Sequence, residues 1–492
     1  MSQFVPPSAG DAGRPRQPFY PHRRWWKQAV ALLFLCLVLN YLLLAPNFGF
    51  VLPHVDQRGY RVPGFSANHD SHVLPPPRVL NSPGLSENEC KAAFPGLTKD
   101  IDNHVKLGPF VMTDRSAGLI EVRVKDRQVS LPLRLGGSPA IPNRQEFDTS
   151  ADAFQARSAT LQQIYRAIIT SPSPLPETVV TINVHDQPFG AAWSYSRPAY
   201  AVPSAGAAPI TRAFLMPHFS FWAWPQPFIG SLPRAAAAID AIEASLPFSQ
   251  KDARLVWRGT VGFNSAHHPT LREDLTKAAH GKPWADVEAL RWDQGEGGAN
   301  GTAMPSNALM VEDFCRHKYV LHTEGVTYSG RLPFLQMCRS VLLTPPLAWL
   351  QHTTHLVRPL FSADLGLEGG AGGSKSSETP APRWTPSGGE STAWPKHFTP
   401  GEANAVFVSP DWSDLEATVA WLERHPDVAE GIAERQRDLF VGGGYFSLAA
   451  ETCYWRALVR GWSTVVGART LGEGGGMEER AVRWEEFVLR PR

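Results

Sequence analysis

Apolar and polar positions change period several times along this chain. Between 153 and 169, Leu161, Ile164, Tyr165 and Ile168 recur at helical spacing, which predicts an amphipathic helix. SPSPLP breaks it, and TVVTINV (178–184) reads as a buried strand ending at His185 and Asp186. RLVWRG (254–259) is a second apolar strand. A polar loop follows, then a helix from 271, where Thr270 and Glu273 form a capping-box pattern. HKYVLHT (317–323) is a third strand running into EGVTYSGR and another helix, and SVLLT (340–344) is a fourth. Further on, Ser413 with Glu416 is expected to cap a helix bearing Leu415, Val419 and Leu422, and 446–465 forms a last helix. Strands alternating with helices predict an α/β fold with parallel sheets.

One segment has no polar face. Residues 29–45 read AVALLFLCLVLNYLLLA, and Gln28, Trp25 and Trp26 extend them toward the length of a membrane span. Arg14, Arg16, Arg23, Arg24 and Lys27 precede it, so the positive-inside rule leaves 1–27 as a cytoplasmic tail and sends the rest across. The expectation is a signal anchor at 28–45, a single-pass type II topology and a lumenal domain in the Golgi or ER. A cleaved signal peptide and a buried core helix are the rival readings. The long region before the apolar run and Pro46 after Ala45 disfavour cleavage. Residues 46–85, with Pro75, Pro76 and Pro77 in a row, read as a stem. The Gly-, Ser- and Pro-rich stretch 364–395 reads as a flexible insertion, and 466–492 as a Gly-rich, then charged tail.

Composition narrows the function. Lys plus Arg number 47 against 46 Asp plus Glu, for a net charge of +1, which removes the global basic field of a nucleic-acid binder. Of five cysteines, Cys36 lies in the apolar segment. Cys90, Cys315, Cys338 and Cys453 allow three pairings in an oxidising lumen, and their spacing suits no zinc site. One glycosylation sequon occurs at Asn300.

The candidate chemistry lies where strands end. In EGVTYSGR, Gly325 and Gly330 permit tight turns, backbone N–H groups and a following helix can receive phosphate, Ser329 adds a hydroxyl, and Arg331 a guanidinium fork. An ordinary turn with a surface Arg is the plain alternative. Thr260 ends WRGT, and Arg272 sits in a helix first turn, where a bound anion would relieve its conflict with the helix dipole. Asp186 is a strand-end carboxylate placed to act as general base, or a turn Asp before Pro188; His185 is a second candidate. Asp100-Ile101-Asp102 has the shape of a metal–diphosphate motif inside a stretch that reads as helix, so no metal site is expected there. Trp222 and Trp224 in FSFWAWPQPFIG are candidates for stacking on sugar rings, or for core packing.

FSFWAWPQPFIGS, LVWRGT with LRED after it, GKPWADV, CRHKYVLHTEGVTYSGRLPFLQMCRSVLL and CYWRALVRGW resemble glycosyltransferase family 90, in order and in spacing. The family includes fungal capsule-associated glycosyltransferases, the branch this chain resembles most, and animal protein O-glucosyltransferases. The resemblance implies a GT-B-like architecture of two Rossmann-like domains facing across a cleft, here 86–248 on the acceptor side and 249–445 for the nucleotide sugar, with 446–465 crossing back. It implies an inverting transfer of xylose or glucose from a UDP-sugar to a hydroxyl of a glycan or protein, with no obligatory metal and no other cofactor. Asp186 falls on the catalytic base. Thr260, Arg272, Val326, Thr327, Tyr328, Ser329, Gly330 and Arg331 fall on donor-binding positions. His185 stands where the glucosyltransferase branch has Arg. The resemblance also implies a Cys315–Cys338 disulfide, which leaves Cys90 with Cys453. A catalytically silent carbohydrate-binding or scaffold protein on the same fold is the alternative; a hydrolase would want a second placed carboxylate that the sequence does not offer.

Overall fold

The computed structural model describes residues 74–112, 119–132, 134–135, 139–140, 151–200, 212–292, 304–367, 384–467 and 481–489. The expected anchor at 28–45, most of the stem and Asn300 lie outside them. Among the described residues no helix is long and apolar enough to cross a membrane.

Two six-stranded sheets organise residues 74–492. The second sheet is the simpler. Its strands run Ala285–Ala289, Asp252–Gly259, His317–Leu321, Val341–Thr344, Ala405–Phe407 and Pro359–Phe361 across the sheet, all parallel. Side chains alternate between its faces, and both faces are covered. Leu255, Trp257, Tyr319, Leu321, Val341 and Leu343 enter one apolar cluster, while Val256, Val320 and Leu342 enter another. That two-sided burial explains the unbroken apolar runs in these strands.

The strand 252–259 pairs with 285–289 on one side and with 317–321 on the other. The chain therefore leaves the carboxyl ends of two neighbouring strands in opposite directions. Such a switch point opens a crevice where ligands bind in α/β sheets.

The first sheet is mixed. Ala481–Arg483, Gln128–Pro132, Ile120–Lys125 and Thr178–Asn183 are antiparallel, and Trp193–Ser194 and Phe214–Leu215 continue in parallel from the last. The helices Ala151–Ile169 and Leu448–Val465 share its apolar core. Arg456, buried in the second of these, donates to the carbonyls of Leu85 and Ala167 at 2.9 and 2.8 Å, so the final helix is bolted to the first half of the fold.

Several expectations need correction. The stem ends before 85: Pro77–Leu80 is a helical turn, and Leu74 and Leu80 pack beside Gly442 and Gly444. Residues 466–492 are not simply a tail. Val466–Gly467 pairs with Phe110–Val111, Ala481–Arg483 extends the first sheet, and Trp484 is buried. The stretch 364–395 is folded at its end, where Ser387 and Glu390 form a capping box on the helix Gly388–Ala393 and Trp394 enters the core. Thr270 does precede the helix Leu271–Ala279, but its hydroxyl donates to Asp274 Oδ2 at 2.5 Å and forms no cap. Ser413 likewise caps nothing; the helix Leu415–Arg424 starts from Asp414, and Asp411 accepts from Ser413. In both places a nearby carboxylate, Asp274 one turn after Thr270 and Asp411 just before Ser413, competes for the hydroxyl.

Candidate active site

Thr260 follows the strand 252–259, and His322–Arg331 follows 317–321, so both segments sit at the switch point. Arg272 ties them together. Its Nη1 donates to the Thr260 carbonyl at 2.9 Å and its Nε to the Glu324 carbonyl at 3.0 Å. The Asn264 side chain caps its backbone N–H at 3.0 Å. Trp292 donates from its indole to the Thr260 hydroxyl at 3.2 Å. In the second loop, Gly325 N–H donates to the Thr327 carbonyl at 2.9 Å, and the Ser329 carbonyl accepts from Gln351 at 3.3 Å. Val326 and Ser329 are half-buried; Thr327, Tyr328 and Gly330 are buried. The helix after the loop spans only Leu332–Gln336, with Pro333 in its first turn. The expected contribution of a helix dipole is therefore small, and the arginines carry the charge of this site.

Arg331 donates to the Arg258 carbonyl and lies 6.0 Å over the Phe314 ring. Burial holds its guanidinium down at about 10. Burial, and then the neighbouring Arg331, push Arg272 down to about 9. Among the described residues neither arginine forms an ion pair with a carboxylate. Two cations that repel each other in a desolvated crevice are costly unless an anion joins them. Geometry and charge together leave an uncompensated cationic crevice at the switch point.

Two further groups here were not singled out from the sequence. His322 is buried, its Nε2 has no partner among the described residues, and burial with Arg331 and Arg272 nearby lowers it to about 3. Glu324 accepts the N–H groups of Ala348 and Trp349 at 3.2 and 2.8 Å, bracing the loop against the next strand; burial raises it to about 8. Both lie in the HTEG run that opens the Gly-rich loop, and that adjacency was the available signal.

Asp186 comes from the first sheet. Asn183 ends its strand and organises the turn, accepting from His185 N–H at 2.9 Å and donating to the Gln187 carbonyl at 3.1 Å. Thr327 then donates its hydroxyl to the Asp186 carbonyl at 2.8 Å, which joins the two halves of the site across 141 positions of sequence. The Asp186 side chain is accessible, while the surrounding protein still raises its carboxyl above the usual range and His185 pulls the other way. A raised carboxylate beside an anion site is suited to accepting a proton from a hydroxyl.

The Trp-rich segment divides. Trp224 packs on His218, Phe219 and Phe334, next to Gly330. Trp222 is exposed, with Arg166 stacked 4.9 Å above its ring, and is not among these donor-loop contacts. Asp100 is bound to Arg197 at 2.5 Å and faces His104 at 3.7 Å, and Asp102 accepts from Thr98, so both carboxylates of that motif are engaged in their own helix and its neighbours. Glu243, Cys315 and Cys338 are the one cluster of metal-ligand types among the described residues, and those cysteines are bonded to each other. Cys315–Cys338 brackets the donor loop with Cα atoms 4.9 Å apart, and Cys90–Cys453 joins the first helices to the last at 5.7 Å.

This is a mixed α/β protein with parallel strands, an architecture consistent with a glycosyltransferase fold. Residues 141–361 match the family described as Glycosyl transferase family 90. Curated relatives agree. The chain is 21% identical over 349 residues to "O-glucosyltransferase rumi" of Drosophila pseudoobscura pseudoobscura, covering 69% of this chain and 72% of the relative. It is 20% identical over 335 residues to "Protein O-glucosyltransferase 1" of Bos taurus, covering 67% and 72%.

Proposed function

We propose that this protein is an inverting glycosyltransferase that moves glucose or xylose from a UDP-sugar to a hydroxyl of a glycan or protein. The observation that carries the reading is the pair of the buried Arg272 and the half-buried Arg331, close to each other and without an ion-paired carboxylate among the described residues. A nucleoside diphosphate supplies the missing negative charge, and the same guanidinium groups stabilise it as it departs. The names of the relatives favour glucose. Thr260, Val326 and Ser329 complete the donor cradle, and Trp224 borders it.

Asp186 takes the proton from the acceptor hydroxyl as its oxygen attacks the anomeric carbon from the face opposite the diphosphate. Inversion follows from that single displacement. The two sheets represent the GT-B-like halves, with the residues around 249 starting the donor half. The apolar segment 28–45 anchors the chain in the Golgi or ER membrane, with the catalytic domain in the lumen. Because arginines stabilise the leaving group, transfer proceeds without an obligatory metal and survives EDTA. The test is a donor screen with the full chain in detergent, reading UDP release and product linkage. Failure of every UDP-sugar, together with no measurable UDP affinity, refutes the reading.

A further inference from the structure

His218 belongs to the segment that carries the first half of the fold toward the donor loop, yet it packs directly on that loop. A Cβ placed on Gly330 would lie 2.7 Å from His218 Cε1, 2.8 Å from its Nε2 and 3.0 Å from Trp224. The edge of the imidazole therefore rests on the Gly330 backbone, and only glycine leaves room for it.

Its protonation follows from its hydrogen bonds. The Ser220 N–H donates to Nδ1 at 3.2 Å, and the Ser220 hydroxyl lies 2.8 Å from the same atom. Nδ1 is thus an acceptor, so a neutral ring carries its proton on Nε2. The ring is 4% exposed and enclosed by Phe219, Trp224, Tyr195 and Tyr328. Burial, with His352 nearby, lowers the imidazole to about 3 and keeps it neutral. Nε2–H has no hydrogen-bond partner among the described residues. Nε2 is not among the fully buried atoms left without a partner, so it keeps some access and is free to donate to a ligand atom.

The position of the ring indicates which atom. On one side stands Gly330 of the donor loop. On the other stand Tyr195 and Tyr328, with ring centroids 6.3 Å apart, both of which feel the Asp186 carboxylate. A group between the diphosphate cradle and the proton acceptor is the sugar in transit.

We propose that His218 donates from Nε2–H to a hydroxyl of the sugar being transferred, making it a donor-sugar recognition residue supplied by the acceptor half. This inference rests on the UDP-sugar reading given above. It also explains why the site needs both halves: the diphosphate is held by one sheet and the sugar is read by a side chain that follows the other.

Calorimetry on the full chain in detergent tests it with two ligands, UDP and the UDP-sugar that the wild type turns over. In His218→Phe, UDP affinity stays within about two-fold while UDP-sugar affinity falls about ten-fold, the scale of one lost hydrogen bond. Equal loss for both ligands, or no loss for either, overturns the assignment. A wild type that binds neither ligand overturns the UDP-sugar reading itself. Because His218 also caps the turn Phe219–Phe221, the wild type is followed in parallel by NMR with ring-15N histidine. The expected result is an Nε2–H tautomer whose resonance moves with UDP-sugar and not with UDP. An Nδ1–H tautomer, or the same shift with both ligands, refutes the contact.

Discussion

Lys251, Arg272 and the half-buried Arg331 are desolvated cations in the same half of the molecule, and their surroundings differ in kind. Lys251 meets three acceptors: Glu243 at 2.8 Å, the Arg339 carbonyl at 2.7 Å and the Ser340 hydroxyl at 3.3 Å. Burial lowers it to about 8, while Glu243 supports its charge. Its three protons are all spoken for, and it joins the helix Leu232–Ser245 to the turn that follows Cys338. Arg272 and Arg331 have backbone acceptors only, and each lies within the field of the other. The first arrangement completes itself inside the fold. The second leaves its charge uncompensated inside the fold. Buried charge alone is thus a poor sign of function; buried charge left without its counter-charge is a better one.

The largest effect should come from breaking the completed site. Lys251→Met leaves Glu243 buried without its cation and should cost about 3–5 kcal/mol of stability, read as a fall in chemical-denaturation midpoint. Donor affinity of the protein that remains folded should be unchanged. A loss of UDP affinity at full stability would erase the contrast between the two sites.

Asp186→Asn should slow transfer by roughly 100-fold or more while UDP affinity stays near wild type. Single-turnover rates with saturating UDP-sugar measure this, and near wild-type transfer removes Asp186 from the role of base. Arg331→Leu inverts the Lys251 experiment. UDP affinity should fall about ten- to hundred-fold, the range of a lost charge-assisted hydrogen bond, with thermal stability nearly unchanged because no carboxylate is stranded. A collapse in stability with UDP affinity retained would class Arg331 with Lys251.

The smallest effect sharpens the comparison through pH. Glu324 has its folded pKa raised from 4.5 to about 8, so the folded state holds a proton that the unfolded state has released in that window. Stability contributed by this group is full below about pH 4.5 and is lost as pH rises through 8. Glu324→Gln should flatten the decline in stability between pH 5 and 8. An unchanged slope shows that the carboxyl ionises freely in the folded state.

Much of the second sheet was legible in the chain because its strands are buried on both faces and so read as apolar runs. The strand 178–183 was legible for the same reason, since every residue of it but Val179 is buried. Caps were less legible. Thr270 and Ser413 stand in good capping positions, yet Asp274 and Asp411 take their hydroxyls, a competition that side-chain geometry settles and sequence spacing does not. The strand Ala481–Arg483 was missed because three residues near a Gly-rich stretch carry no periodic signal; only the free edge of Gln128–Pro132 gives them a place.

The sequence by itself determined the alternation of strands and helices and the placement of Asp186, Arg272 and Arg331 at element ends. Those are local properties, fixed by residue type and by where apolar runs stop. The tertiary structure alone decided that Asp186 and Thr327 meet, that Arg272 spans two loops, that Trp224 and not Trp222 reaches Gly330, and that His218 carries its proton toward the donor loop. Each of these depends on how two sheets far apart in sequence are packed against each other. Packing is set by the summed burial of many side chains, and no single stretch of the chain records it.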